Sequence, residues 1–206
     1  VAEFVAVGSL AALSDLLNAT DRFELAPDSD VVLVMTAAAF VGVTEAAIEL
    51  SSVFETRGAR VEALMNVDHS SNDEPYFARR VREADLVVLA EGSALHAKSV
   101  WHASALGEAI RDAARLLAVG TVATVLAVTM IDPRGGAPTT GLGYLEGLVI
   151  TTSEGEEQLQ RTRSLLGSDE TLAVLGARGA LRFDGATWRA MNDDVVATRA
   201  FEVVAL

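Results

Sequence analysis

The chain predicts an α/β fold: a three-layer sandwich around a mainly parallel central sheet, with short antiparallel strands at the C-terminus. Three observations carry this expectation. Apolar runs such as Val31–Met35 and Asp85–Ala90 read as strands buried on both faces of a parallel sheet. Between such runs lie segments with helical spacing and helix start and stop signals. Half of the residues are apolar but only 5% are aromatic, so Ala, Val and Leu must build the core. At 206 residues, one domain over 1–206 is the economical reading. A chain of that length buries roughly 70% of its unfolded surface and needs no metal or disulfide staple.

Taken in order, Glu3–Gly8 is a short strand and Leu10–Leu17 a helix. Asp21–Asp30 is polar, contains Pro27 and reads as a loop. Val31–Met35 is a buried strand, and Thr36–Val43 a small-residue loop at its carboxyl end. Thr44 can cap a helix that runs to Thr56 and stops at Gly58. Arg60–Met65 is the next strand, and Pro75 helps to start a helix over Glu74–Ala84. Asp85–Ala90 is followed by the turn Glu91-Gly92-Ser93 and a short helix, Ala94–Val100. Ser104 can cap a longer helix, Ala105–Leu117.

The next stretch, Ala118–Gly136, is the centre of interest. Its β-branched run from Val119 to Val128 reads as a doubly buried strand and ends in a Pro/Gly loop. Chemistry in open α/β sheets gathers beyond the carboxyl ends of the strands, so a nucleophile is expected near a turn here. No Ser or Cys occurs between Ser104 and Ser153. Beyond it, Tyr144–Thr151 is strand-like, and Ser153-Glu154-Gly155-Glu156 has the form of a capping box for a helix to Leu166. Thr171–Leu175, Ala180–Phe183, Thr187–Met191 and Phe201–Leu206 are short strands, with Asp184-Gly185 as a hairpin signal.

The formal charge of −13 repels phosphate backbones and anionic membrane surfaces, which argues against nucleic-acid and membrane partners. No apolar run reaches the ~18 residues of a membrane span. The N-terminal segment lacks the basic region of a signal peptide. The absence of Cys excludes thiol chemistry and fits a cytoplasmic protein. No cofactor is expected. There is no Walker A pattern, and Gly141-Leu-Gly143-Tyr-Leu-Glu-Gly147 is one residue too long for a dinucleotide fingerprint and precedes a strand. His69, His96 and His102 lack metal-ligand spacing.

Three segments, in order, carry a family resemblance: Asp85-Leu-Val-Val-Leu-Ala-Glu-Gly-Ser-Ala-Leu-His96, then Ile131-Asp-Pro-Arg-Gly-Gly136 with Gly141-Leu-Gly143, then Leu148–Leu166. Over roughly residues 30 to 185 the chain resembles the serine peptidases of the cyanophycinase and aspartyl dipeptidase (peptidase E) group. The resemblance implies a class I glutamine amidotransferase-like, flavodoxin-like fold and an ancestor that hydrolysed peptide or amide bonds. It also implies that relatives pair, so a homodimer is an expectation.

The departures from that pattern are specific. The family's Gly-Ser-Ala-Gly elbow matches Gly120-Thr-Val-Ala-Thr-Val125, which puts the nucleophile on Val122, or on Gly120 if the DPRGG segment sets the register. Neither can attack a carbonyl. The Gly-Gly oxyanion turn matches Glu91-Gly92, where a carboxylate opposes a developing oxyanion. The catalytic His matches Ser153, and no His follows His102. A serine hydrolase needs nucleophile, base and oxyanion donors together. The expectation is therefore a non-catalytic relative, with no catalytic residue and with a cleft bounded by Glu91, Gly92, Ser93, Thr121, Val122, Asp132, Arg134 and Ser153, open to a small-molecule or peptide ligand. Two alternatives stay open. In one, Glu91, Asp132, Thr121 and His96 rebuild a hydrolytic site. In the other, the protein is a purely structural subunit. Each residue also has a plainer role: Val122 as core, Thr121 and Thr124 as strand or turn residues, Ser153 as a helix cap. Asp132 and Arg134 could simply form a turn pair, and Glu91 could take backbone donors or lie inert.

Overall fold

The computed structural model describes all residues except 20–22, 73 and 153–154, and for 71 and 72 the backbone alone. The chain opens with β1 (Glu3–Val7), α1 (Leu10–Asn18) and β2 (Asp30–Val34), followed by a 3-10 turn over Thr36–Phe40. Next come α2 (Val43–Glu55), β3 (Arg60–Leu64), the short α3 (His69–Asn72), α4 (Pro75–Glu83) and β4 (Leu86–Leu89). Then follow α5 (Ala94–Trp101), α6 (Ala105–Asp112), β5 (Arg115–Val119) and a 3-10 segment over Gly120–Leu126. The rest comprises β6 (Thr129–Ile131), β7 (Pro138–Thr140), β8 (Val149–Thr152), α7 (Glu156–Leu165), β9 (Leu172–Leu175), β10 (Ala180–Phe183), β11 (Trp188–Ala190), β12 (Val195–Arg199) and β13 (Glu202–Val203).

Among the described residues the central sheet has seven strands in the order β11-β10-β1-β5-β4-β2-β3. The five strands from β1 to β3 in that order are parallel; β10 and β11 add an antiparallel edge. Alternation along each parallel strand sorts the side chains into two cores. Val5, Val31, Leu33, Val88 and Leu117 meet Leu13 and Leu16 of α1 and Leu50 and Phe54 of α2. Phe4, Val32, Val87 and Leu116 face the other way, onto Val81 of α4, Trp101 of α5 and Ile110 of α6. The three-layer α/β expectation holds. A second sheet, β13-β12-β9-β8, is covered by Leu159 of α7, and β6 and β7 form a separate hairpin.

Several boundaries differ from the sequence reading. The Val119–Val128 run is not a strand. The strand is β5, which ends at Val119, and the residues from Gly120 to Leu126 coil into the 3-10 segment. Gly120 has φ +67°, which takes the backbone out of the extended region and ends the strand. The β-branched residues beyond it are apolar because they are buried between α5 and β8, not because they pair in a sheet. Correspondingly, the helix expected to reach Leu117 stops at Asp112, since Leu116–Ala118 pair with both β1 and β4 at the centre of the sheet. Helix α2 is capped from Gly42 rather than Thr44. Helix α7 starts at Glu156 after Gly155, with no side-chain cap; Ser153, the expected cap, lies outside the described residues. The expected strand over 144–151 is confined to β8, and the expected last strand to β13, while β12 was not anticipated.

Candidate functional site

Strands β4 and β5 are parallel neighbours, with Val87 opposite Leu116 and Leu89 opposite Ala118. Their carboxyl ends therefore emerge side by side. The segment after β4 is Ala90-Glu91-Gly92-Ser93, and the segment after β5 is Gly120-Thr121. Pairing alone brings together residues about thirty apart in the chain.

The turn after β4 is tightly held. Ser93 caps α5, its Oγ accepting from the His96 amide at 3.2 Å. The Ser93 amide donates to the Ala37 carbonyl at 2.8 Å, docking the turn on the 3-10 turn that follows β2. Gly92 has φ +150°, and a Cβ there would stand 2.0 Å from that same carbonyl oxygen. From the other strand, the Thr121 hydroxyl donates to the Gly92 carbonyl at 2.5 Å.

Glu91 lies across Gly120. A Cβ on Gly120 would come within 2.6 Å of the Glu91 carboxyl carbon and of its Oε1. One side of this carboxyl is pressed on the Gly120 backbone, while the residue as a whole stays exposed. Burial pushes the Glu91 carboxyl up from its ordinary value. Among the described residues no donor or cation pairs with it, so the backbone-satisfied reading of Glu91 finds no partner here.

Beyond Glu91 opens a groove of about 540 Å³ between α1 and α2 at the strand ends. Its walls are Leu10 of α1, Leu50 of α2 and Val119 of β5, with Val41 at the rim. Glu45 and Glu49, one helical turn apart on α2, join Glu91 in lining it. These two glutamates were missed in the sequence reading. The signal was present: α2 follows the loop at the carboxyl end of β2, and such ends line ligand crevices in open sheets.

The remaining expected site residues are distributed as follows. Glu91, Gly92, Ser93 and Thr121 come together. Val122 is fully buried among Ala97, Val100 and Trp101 of the core and does not line the groove. Asp132 and Arg134 lie in the β6–β7 turn, where Asp132 Oδ1 accepts from the Arg134 amide at 2.9 Å and the Asp132 carbonyl from Gly136 at 2.8 Å. That turn packs on α7, Thr162 Oγ1 donating to the Gly136 carbonyl at 2.8 Å. No described contact joins Asp132 or Arg134 to Glu91. Thr124 is buried. Ser153 lies outside the described residues. His96 is occupied elsewhere: its Nε2 is 2.7 Å from the Val67 carbonyl and its ring meets Phe40 edge-on. His69 approaches Ser99 at 3.2 Å, and His102 sits exposed at the end of α5. Among the described residues no three His, Asp or Glu side chains converge as a metal site. Among the described residues no helix is long and apolar enough to cross a membrane.

No protein-family model and no curated protein sequence matches the chain. Solved structures do. A peptidase from an acI-B1 Actinobacterium superimposes with a TM-score of 0.72 at 16% identity, covering 100% of this chain and 97% of that one. A candidate peptidase E protein from Listeria monocytogenes EGD-e superimposes with a TM-score of 0.64 at 13% identity, covering 96% and 98%. At such identities the likeness establishes the fold and leaves the chemistry to the site.

Proposed function

We propose that this protein is a non-catalytic relative of the peptidase E and cyanophycinase serine peptidases. It keeps their scaffold and the cleft at the strand ends without a Ser/His hydrolytic apparatus, and it serves to bind a small ligand or to pair with another subunit. The peptidases that share its fold motivate the comparison. One observation carries the reading: Gly120, which turns the chain at the end of β5, has no side chain, and the Glu91 carboxyl fills the space where one would begin.

An acyl-transfer site needs a nucleophile at such an elbow and donors aimed at the oxyanion. Here the elbow residue is a glycine, and the group beside it is an acid. Thr121, the nearest hydroxyl, spends its proton on the Gly92 carbonyl. Gly120, rather than Val122, is the better match for the nucleophile position, because Val122 points into the core.

The test is covalent labelling. The purified protein is treated with a fluorophosphonate probe and assayed against aspartyl dipeptides, isoaspartyl peptides and glutamine. No adduct and no turnover above buffer is the expected result. Stoichiometric labelling or turnover of any of these substrates would overturn the proposal.

A further inference from the structure

We infer that the groove between α1, α2 and the ends of β4 and β5 holds a short cationic peptide, seating an apolar side chain against Leu10, Leu50 and Val119 and its positive charge among Glu45, Glu49 and Glu91. The inference rests on the reading of this cleft as a ligand site, and it names the ligand's chemistry.

Size comes first. About 540 Å³ lies within the range of pockets that hold drug-sized molecules, which is the scale of a di- or tripeptide. Its apolar walls supply the non-directional part of binding. Polarity comes next. Among the described residues three carboxylates line the groove, and no Lys, Arg or His does. Among the described residues none of the three has an ion-pair or hydrogen-bond partner. Glu45 and Glu49 repel one another at i, i+4 spacing on α2, and Glu91 faces them from the β4 end. A cleft with low-dielectric walls focuses a field of one sign, and the chain's net charge of −13 reinforces it. A cation in the groove relieves that repulsion, and an acidic ligand increases it. The site therefore discriminates by charge against acidic peptides.

Leucyl-lysine amide and leucyl-glutamate are titrated separately into the full chain, with amide NMR shifts and calorimetry as readouts. The same titration is repeated on the Glu45→Gln/Glu49→Gln variant, whose two positions are exposed on α2. Leucyl-lysine amide is expected to bind saturably and to move the Gly92 and Thr121 amides. Leucyl-glutamate is expected to bind at least tenfold more weakly. The variant is expected to lose at least tenfold for the cationic peptide while melting at or slightly above the wild-type temperature, since the Glu45–Glu49 repulsion is removed. Absence of saturable shifts at Gly92 and Thr121, equal binding of the two peptides, or full binding by the variant overturns the inference. Mass spectrometry of the recovered peptides keeps the two readings separate. Cleavage would overturn the non-catalytic proposal whatever the preference; intact peptides without binding overturn only the ligand inference.

Discussion

The Glu91 carboxyl group stands where a side chain on Gly120 would begin: an added Cβ would lie 2.6 Å from its Cδ. Two turns at the ends of neighbouring strands are thereby made dependent on each other. The geometry predicts how much each residue tolerates change.

Gly120→Ala should destabilise the fold by about 2 kcal/mol. A left-handed backbone at φ +67° costs a residue with a Cβ roughly 1–2 kcal/mol. Displacing Glu91 adds on the order of 0.5–1 kcal/mol, because its carboxylate can swing toward solvent. Urea denaturation of the Glu91→Ala/Gly120→Ala double variant should recover only the second part, as a coupling of about that size. Strict additivity would show that the two groups do not compete for space.

Gly92→Ala should cost more, about 3 kcal/mol or above. Its φ of +150° is a region reserved for glycine, and the obstacle is the Ala37 carbonyl, a backbone group fixed by its bond to Ser93. The ranking Gly92→Ala worse than Gly120→Ala is the critical outcome, read from urea midpoints at constant slope.

Glu91 should also leave a signature in the pH dependence of stability. Its carboxyl is raised by burial. The folded state therefore holds a proton that the unfolded state has released, over the interval between the ordinary carboxyl value and the raised one. Stability then falls as pH rises through that interval and is greater below it. Glu91→Gln removes the charge. The variant should have the higher urea midpoint at pH 7.5, and the difference should shrink toward pH 4. A difference that does not vary with pH would remove burial as the cause. Because the residue is exposed overall, solvent screening keeps the effect small.

Thr36→Val should destabilise by about 2–4 kcal/mol. The buried Thr36 hydroxyl donates to the Asn66 carbonyl and accepts from Asn66 Nδ2 and Trp101 Nε1, each at 3.0 Å. Valine has the same shape and removes the acceptor shared by two buried donors, which is the costly direction of such a change. Thr36 also begins the 3-10 turn whose Ala37 carbonyl holds Ser93, so amide exchange at Ser93 should quicken. The exposed Thr140→Val serves as the control, expected within 0.5 kcal/mol.

The sequence by itself determined the α/β class and most of the strands, because runs such as Val31–Met35 combine burial on both faces with bounded length. It placed Pro75 at the start of α4 and Asp184-Gly185 between β10 and β11, where local chemistry decides the conformation. It could not place the end of β5. An apolar run reports burial, and burial is the same whether the residues after Val119 extend or coil. That choice belonged to the tertiary structure, through the positive φ of Gly120 and the packing of the 3-10 segment against α5 and β8. The site followed the same division. Glu91, Gly92, Ser93 and Thr121 were legible as residues near strand ends. Their meeting, the exclusion of Val122 and Asp132, and the addition of Glu45 and Glu49 depended on which strands lie side by side. Strand order is set by contacts between distant segments, which no local pattern records.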